Sequence, residues 1–255
     1  MTRNHRKNVF TVMITVTIVL FAVVVAAGCE NEKMPERKLS ASYGIGEKKV
    51  TESKIIDAPY INQCDEFPTG CESVSTVMAL QYLGIDISVD EFVDNYLDME
   101  EITYKKNGQM IACNPWKAFP GNPRSETGFG CYSPVIKKAV DSFIDHSKYR
   151  ADILADMPIE DLCKNYIDRN TPVVIWATID MKAPRLGKCW TVPRTNEKIS
   201  WIAPQHCLLL VGYDKNYYYF NDPWRSKKCK YPKEKCDVAY KALFSQAVVI
   251  TKNQE

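Results

Sequence analysis

The sequence predicts an α+β fold, with helices in the first half of the domain and an antiparallel sheet in the second half. Three observations predict it. Apolar residues recur at helical spacing in four segments before residue 171. Four apolar runs of β type come after that residue. No internal repeat interrupts this order, so a single domain accounts for the patterned part of the chain.

The first predicted helix is the most strongly marked. Residues 71–83, CESVSTVMALQYL, are apolar on nearly every side from Val74 onward, which is typical of a buried central helix. Gly84 is a natural end for it. A second helix is predicted over 88–97, because Ser88 is a favourable N-cap and acidic residues follow it in the first turn.

Two more helices and a long loop come before the sheet. Residues 133–147 begin with Ser133 and Pro134, a common helix start, and residues 157–170 carry a similar periodicity. Between the second and third helices, residues 104–131 are rich in glycine, proline and asparagine. They are predicted to form a long ordered loop, a kind of segment that is often functional.

The predicted strands are apolar runs rich in β-branched and aromatic residues. Asp214-Lys-Asn lies between the second and third runs and is a candidate hairpin turn, so these two strands should pair antiparallel. A short extended segment, KIIDAPYI, opens the domain. The four predicted strands are residues 172–179, 206–213, 217–222 and 247–252.

The first 28 residues have the pattern of an export signal of the lipoprotein type. MTRNHRKN is basic, and the 19 residues from 9 to 27 carry no charge. Ala26-Ala27-Gly28-Cys29 resembles the lipobox of bacterial lipoproteins, which implies cleavage before Cys29 and lipidation of its thiol. An uncleaved signal anchor and an unlipidated secreted form are the alternatives. All three place the domain outside the cytoplasmic membrane.

A polar stretch over residues 29–53 predicts a flexible stalk, and residues 54–255 are predicted to be the folded domain. The formal net charge is only +2, and the basic signal accounts for this excess. Nucleic acid is therefore not expected as a partner. We expect a monomer without a cofactor. No metal is expected either, because the chain has no Cys-x-x-Cys pair and only one well-placed histidine.

The cysteine count points to a reactive thiol. The chain has ten cysteines, nine of which follow Cys29. In an oxidising compartment an odd number indicates one free thiol, with the other eight available for disulfides. We expect Cys71 to be free and a Cys229–Cys236 bridge to close the polar loop KYPKEK. A Cys64–Cys71 bridge that masks the reactive thiol is the alternative.

Cys71 is the candidate nucleophile because of where it lies. It begins the buried helix after a Pro-Thr-Gly turn, where free backbone N–H groups and a neighbouring imidazolium lower the pKa of a thiol. Glu72 opposes this effect, so His206 must supply part of it. The backbone N–H of Cys71 and the side-chain amide of Gln63 are candidate oxyanion donors.

His206 is the candidate base among three histidines. His5 lies in the signal, and His146 lies at a helix end, where it is most simply a solvated cation. If the second and third strands form a hairpin, His206 lies beside the far end of that hairpin. The carboxylate of Asp222 can then accept a hydrogen bond from the imidazole and orient it. Asn221 is the alternative orienting residue.

Two stretches resemble a known enzyme family. PYINQCDEFPTGCESVSTVMALQYLG and the later HCLLLVGYDKNYYYFNDPW are similar to the papain-like superfamily. They resemble more closely the C39-type cysteine peptidases, which are related to the double-glycine leader peptidases of bacteriocin exporters. The resemblance spans residues 55–252 and implies a papain-like fold. It also implies four catalytic residues: Cys71 as nucleophile, His206 as base, Asp222 as orienting carboxylate and Gln63 as oxyanion donor.

One detail of the resemblance bears on the substrate. The Cys-Glu pair at 71–72 resembles the free-standing branch of the family, whereas the exporter-linked members usually have glycine after the cysteine. The resemblance therefore does not imply a double-glycine substrate.

Three tryptophans flank the histidine and aspartate segments. Trp190, Trp201 and Trp224 are candidates for a substrate groove, with core packing as the alternative. The segment GKCWTVPRTNEKISW is a candidate flap over the cleft.

The sequence therefore predicts an extracytoplasmic cysteine peptidase or amidohydrolase. It would be tethered to the membrane and would act on a peptide or peptide-like substrate. Two alternatives remain open. One is a thiol acyltransferase that uses the same residues. The other is a non-catalytic lipoprotein that binds a peptide or a cell-wall fragment on a papain-like scaffold.

Overall fold

A computed structural model describes residues 53–64 and 66–253 of the chain. The predicted signal, the predicted lipidation site at Cys29 and most of the predicted stalk lie outside these residues. Within them, every helix is too short or too polar to cross a bilayer. The α+β class is confirmed, with helices packed against an antiparallel sheet.

The helices of the described part are α1 (Cys71–Tyr82), α2 (Val89–Asn95), α3 (Ser133–Asp141), α4 (Ile159–Asn165) and α5 (Lys233–Ala242). The strands are β1 (Lys54–Ile55), β2 (Met99–Glu100), β3 (Thr103–Tyr104), β4 (Met110–Ile111), β5 (Phe119–Pro120), β6 (Tyr149–Ala155), β7 (Val173–Thr178), β8 (Arg185–Thr191), β9 (Lys198–Ala203), β10 (Gln205–Tyr213), β11 (Tyr217–Asn221), β12 (Cys229–Pro232) and β13 (Gln246–Lys252).

Seven strands form the main sheet, in the spatial order β12-β11-β10-β7-β13-β6, with β1 added alongside β10. All of their pairings are antiparallel. Every residue of β7 is buried, so both faces of the sheet are covered at its centre. Helices α1, α3 and α5 supply the packing against these strands.

Helix α1 lies at the centre of the core. Its first ten residues, 71–80, are all buried, as the all-round apolar pattern predicted. The helix packs against β10 and β7. The side-chain hydroxyl of Ser75 donates a hydrogen bond to the backbone oxygen of Cys207 at 3.2 Å. This packing fixes the start of α1 relative to the strand that carries His206.

Two local predictions are confirmed by hydrogen bonds. Ser88 caps α2, since its hydroxyl oxygen accepts the backbone N–H of Glu91 at 3.0 Å. The turn between β10 and β11 is a hairpin in which the carboxylate of Asp214 accepts the backbone N–H groups of Asn216 and Tyr217, each at 2.7 Å. This hairpin sets the register in which Asn221, the last residue of β11, pairs with Leu209 of β10.

Several elements differ from the predictions. Helix α3 ends earlier than predicted, and α4 is followed by a separate 3₁₀ turn over Ile167–Arg169. The loop predicted over 104–131 contains β4 and β5. The candidate flap forms the β8–β9 hairpin, which joins β3 and β4 in a four-stranded sheet. Strands β6 and β12 and helix α5 were not predicted.

Candidate active site

Cys71 occupies the first position of α1. Gly70 precedes it as the N-cap, and a Cβ atom on Gly70 would come 2.8 Å from Cβ of Phe67 and 3.3 Å from Cβ of Pro123. Glycine therefore fits between the turn and the helix without displacing these neighbours. The Cys71 residue is only 6% exposed. The backbone N–H groups of the first turn have no partner inside the helix, so they are available to an anion beside the sulfur.

His206 and Asp222 form a buried pair. His206 is the second residue of β10, and Asp222 directly follows β11. Nε2 of His206 lies 2.7 Å from Oδ1 of Asp222, and both residues are 1% exposed. Because the carboxylate occupies Nε2, the other ring nitrogen, Nδ1, is the one left to exchange a proton with a reacting group.

The Asp222 carboxylate is held by two more donors. The backbone N–H of Trp224 donates to Oδ1 at 2.9 Å, and the hydroxyl of Tyr231 donates to Oδ2 at 3.2 Å. Burial alone would raise the pKa of Asp222, but the hydrogen bond and charge of His206, together with these donors, hold that pKa below its ordinary value. The carboxylate therefore remains ionised across the range in which imidazoles titrate.

Two other residues considered in the sequence lie elsewhere. The amide of Asn221 donates to the backbone oxygens of Ala58 and Pro59, at 3.2 and 2.8 Å. It therefore fixes the start of the domain instead of the imidazole. His146 is exposed, and its Nε2 lies 2.8 Å from the backbone oxygen of Asp141 at the end of α3, in agreement with its interpretation as a helix-end residue.

The contact between α1 and β10 brings the two halves of the site together. The backbone N–H of Cys207, the residue after His206, lies close enough to the sulfur of Cys71 to lower the pKa of that thiol. Asp222 is close enough to Cys71 for its charge to raise the pKa of the thiol. The candidate nucleophile, the base and the orienting carboxylate thus share one buried region.

The Cys71 thiol is nevertheless held in its protonated form. Burial raises its pKa well above the ordinary value, and Glu72 raises it further, since its Oε2 accepts the Sγ hydrogen bond at 3.3 Å. The backbone N–H of Cys207 acts in the opposite direction. The pKa lowering expected for a helix start is therefore outweighed, because this helix start is buried beside a carboxylate.

Glu72 is part of the site, although the sequence indicated only that its charge would oppose the thiolate. Glu72 is 0% exposed. Its Oε1 accepts the backbone N–H of Cys131 at 2.9 Å and the side-chain amide of Gln205 at 2.8 Å. One signal in the sequence could have indicated this environment. Glu72 is an acidic residue at a position predicted to be buried, and a buried carboxylate requires polar partners.

Gln63 is buried in the turn that precedes α1, and it is 1% exposed. Its Nε2 donates to the backbone oxygens of Phe67 and Pro68, each at 3.2 Å. Its backbone N–H donates to the oxygen of Pro223 at 3.0 Å. Gln63 therefore links the turn before Cys71 to the loop that follows β11, and its role as an oxyanion donor stays a prediction.

Substituting Gln63 by glutamate tests that role. Gln63→Glu keeps the size of the side chain but removes both N–H donors, so it cannot stabilise an oxyanion and it faces two carbonyl oxygens. We expect kcat for a cleaved peptide to fall by about 10²–10³-fold. The free energy of unfolding should fall by about 1–3 kcal/mol. Steady-state kinetics and denaturant unfolding measure the two effects.

Gln81→Glu is the matched control, because Gln81 also donates from Nε2 to a backbone oxygen, that of Ile87 at 3.0 Å, at the far end of α1. This control should lose stability without losing kcat. An unchanged kcat in Gln63→Glu would show that Gln63 serves only to hold the turn.

The three tryptophans have different environments. Trp190 and Trp201 are 2% and 7% exposed and lie with ring centroids 5.9 Å apart. They pack in the core, which was the alternative to a groove. Trp224 is 38% exposed and lines a cavity of about 350 Å³. The other residues that line this cavity are Cys64, Pro68, Thr69 and Glu126.

The predicted disulfides are wrong for the described residues, in which all nine cysteines are free. Cys229 lies on β12 and is half-buried, whereas Cys236 lies on the buried face of α5, and its Sγ donates to the backbone oxygen of Tyr231 at 3.7 Å. The turn from strand into helix thus directs the second thiol into the core. Cys64 is exposed, and its Sγ donates to the oxygen of Trp224 at 3.8 Å, so it does not mask Cys71.

No group of three histidine, cysteine, aspartate or glutamate side chains is arranged to hold a metal ion in the part of the chain that the structure describes.

Comparisons with known proteins point to one family. Residues 55–248 match a family model described as the Peptidase_C39 like family. The uncharacterized protein YvpB of Bacillus subtilis (strain 168) is 26% identical over 204 residues, which are 78% of this chain and 77% of YvpB. A solved structure described as a candidate C39-like peptidase from Bacillus anthracis has a TM-score of 0.67 and 27% identity, over 79% of this chain and 99% of that one.

A second solved structure is more distant. It is a double glycine motif protease from an AMS/PCAT transporter, in complex with its leader peptide. It has a TM-score of 0.45 and 15% identity, over 79% of this chain and 95% of that chain.

Proposed function

We propose that this chain, which belongs to the Peptidase_C39 like family, is a cysteine peptidase or amidohydrolase that cleaves a peptide or amide bond. One observation carries the proposal: Nε2 of His206 is held by Asp222 at 2.7 Å in a buried pair. An imidazole fixed in this way, on the strand against which the helix that Cys71 begins is packed, fits the arrangement that covalent acyl transfer needs.

The first half of the proposed reaction forms an acyl-enzyme. Nδ1 of His206 takes the proton from Sγ of Cys71, and the thiolate attacks the carbonyl carbon of the substrate. The oxyanion that forms accepts the backbone N–H of Cys71, with the amide of Gln63 as the proposed second donor. His206 then gives its proton to the leaving amine as the C–N bond breaks.

The second half releases the acid product. A water molecule loses a proton to His206 and attacks the thioester carbonyl, and Sγ of Cys71 leaves and recovers the proton. Throughout both halves Asp222 keeps its negative charge and stabilises the imidazolium. The turn before α1 and the loop after β11 border the exposed cavity at Trp224, which we propose as part of the substrate groove.

A product analysis tests the proposed function. The purified protein is incubated with peptides of defined sequence in H₂¹⁸O, and the products are identified by mass spectrometry. We expect new carboxyl termini that contain ¹⁸O. Added glycine amide would be incorporated by an acyltransferase but not by a hydrolase. Peptides that bind without being cleaved or conjugated would support the binding scaffold instead.

We also propose the location that the sequence predicts, outside the cytoplasmic membrane and tethered there through lipid on Cys29. The proposal rests on the basic and apolar segments at the start of the chain and on the Ala-Ala-Gly-Cys pattern. Metabolic labelling with a fatty acid checks it. The label should enter the wild-type protein and not Cys29→Ser. Equal labelling of the two would contradict lipidation at this residue.

A further inference from the structure

Glu72 is a buried carboxylate that the proposed mechanism leaves unused. The residue is 0% exposed, and its side-chain hydrogen bonds come from neutral groups. Those from other residues come from the thiol of Cys71 at 3.3 Å, the backbone N–H of Cys131 at 2.9 Å and the amide of Gln205 at 2.8 Å. A carboxylate in such surroundings is costly to keep ionised, and a cost of this kind is most common at functional sites.

The surrounding chain is shaped to hold this carboxylate in one place. Gly130 has a φ angle of +151°, and a Cβ atom there would lie 2.5 Å from Oε1 of Glu72 and also 2.5 Å from Oε1 of Gln205. Gln205 directly precedes His206 in β10. The segment around Gly130 and the start of β10 thus fix Oε1 from two sides, which leaves Oε2 beside the sulfur of Cys71.

The two protonation states of Glu72 have opposite effects on that sulfur. The ionised carboxylate accepts a hydrogen bond from the thiol, and it repels a thiolate at short range in a medium of low dielectric constant. The protonated carboxyl instead donates from Oε2 to a thiolate and stabilises it. The contacts at Oε1 can persist in both states, because a carbonyl oxygen accepts the same two N–H groups.

We propose that Glu72 is a positioning residue that controls the Cys71 proton: when ionised it keeps the sulfur as a thiol, and when protonated it releases the sulfur as a nucleophile. In the conversion, the Cys71 proton moves to Nδ1 of His206 and one proton from solvent binds Oε2 of Glu72. The reactive state therefore holds one more proton than the resting state. This inference rests on the proposed function in taking Cys71 as the nucleophile and His206 as its base.

Four other titratable groups around the site keep one charge state between pH 4.5 and 8. They are the thiols of Cys131 and Cys207, the phenol of Tyr132 and the carboxylate of Asp222. Burial raises the pKa of both thiols and of the phenol above their ordinary values, and the pKa of Asp222 is held below its own. A change in the reactivity of Cys71 within this range is therefore not caused by any of these four groups.

The test measures how fast iodoacetamide alkylates Cys71 between pH 4.5 and 9 in the full-length protein. Mass spectrometry of the peptide that contains Cys71 separates its labelling from that of the other thiols. Glu72→Gln imitates the protonated carboxyl, so at pH 7.5 we expect it to be alkylated about tenfold faster than the wild type or more, which corresponds to one unit of thiol pKa. The wild type should show a rate maximum below neutral pH that Glu72→Gln lacks.

Two further variants separate charge from structure. Glu197→Gln is the control for loss of a hydrogen-bonded carboxylate. Oε2 of Glu197 accepts a hydrogen bond from the side-chain amide of Asn114 at 3.0 Å, at the turn of the β8–β9 hairpin. The alkylation profile of Cys71 in this variant should match that of the wild type. Glu72→Asp keeps the charge and should stay as slow as the wild type at pH 7.5. Equal or slower alkylation of Glu72→Gln than of the wild type would overturn the proposal. If that variant does not fold, a wild-type profile without an acid maximum overturns it.

The same experiment distinguishes this inference from the proposed function. If His206→Gln leaves the Cys71 profile of the wild type unchanged, the nucleophile–base pair itself is wrong. If the profile depends on His206 and not on Glu72, only the present inference fails.

Thermal unfolding gives a readout that does not depend on the sulfur chemistry. Burial raises the pKa of Glu72 above its ordinary value, so the folded chain binds this proton more tightly than the unfolded chain does. The stability gained from it is complete below the ordinary carboxylate range and is lost as pH rises through the raised pKa. The Tm of the wild type should therefore fall relative to that of Glu72→Gln as pH rises. Parallel Tm curves would contradict the raised affinity for the proton.

Discussion

Replacing Cys71 by alanine is expected to lower kcat/KM for the cleaved peptide by about 10⁴-fold or more. Without the sulfur no acyl-enzyme forms, and the oxyanion donors and the imidazole have no covalent intermediate to act on. The helix start, with its free N–H groups, remains in place. Because only one buried atom is removed, the free energy of unfolding should change by about 1 kcal/mol. Kinetics on a peptide identified by the product analysis measure the loss.

Cys163→Ala is the matched control for that measurement. Cys163 is also a buried thiol, 2% exposed, but it lies on α4. The variant should keep its activity while losing a similar amount of stability. If Cys71→Ala retained more than a tenth of the wild-type kcat/KM, the attack on the substrate would come from another group, such as a water molecule, and the covalent mechanism would be wrong.

The second large effect is expected from His206→Gln. The amide N–H of glutamine can still donate to Asp222, so the buried carboxylate keeps a partner, but an amide cannot accept and return a proton. We expect kcat to fall by about 10²–10⁴-fold with the fold retained. The pH dependence of kcat/KM should also lose one ionisation, the one that belongs to the imidazole. If His206 had a purely structural role, the pH profile of the variant would keep the shape of the wild-type profile.

His146→Gln provides the comparison, since His146 is the exposed histidine at the end of α3. It should leave both the rate and the pH profile unchanged. If His206→Gln kept the wild-type kcat, a group other than His206 would be the base. In that case the 2.7 Å contact with Asp222 would be a structural hydrogen bond only.

The parts of the fold that could be predicted are those whose signals are local. Helix α1 and strands β7 and β10 are nearly continuous apolar runs, and each has a recognisable start or turn. Strand β6 was not predicted because it lies at the edge of the sheet and most of its residues are partly exposed, so it has no clear apolar alternation. The pairing of β4 with β8 joins Ile111 to Thr191. These residues are far apart along the chain, so no local sequence pattern could predict their pairing.

The site, like the fold, has parts that local sequence signals predict and parts that depend on contacts between distant residues. A cysteine at a helix start and a histidine in a hairpin can be recognised from short segments, and the structure places Cys71, His206 and Asp222 in one region. The environment of Glu72 depends on contacts from residues 131 and 205, which lie far away in the sequence. Sequence reasoning therefore could not show that burial and Glu72 together would outweigh the pKa lowering expected at the helix start. The disulfide prediction failed because it relied on the cysteine count and not on the direction of each side chain.

The proposed reacting groups and the proposed substrate cavity are built on different kinds of structure. Cys71 begins a helix, and His206 lies on a strand paired with β7. All five residues that line the cavity at Trp224 lie in turns outside the helices and strands. Turns tolerate substitution and changes of length far better than packed elements do. Substrate preference can therefore diverge among relatives of this chain while the chemical machinery stays the same, so a shared reaction does not imply a shared substrate.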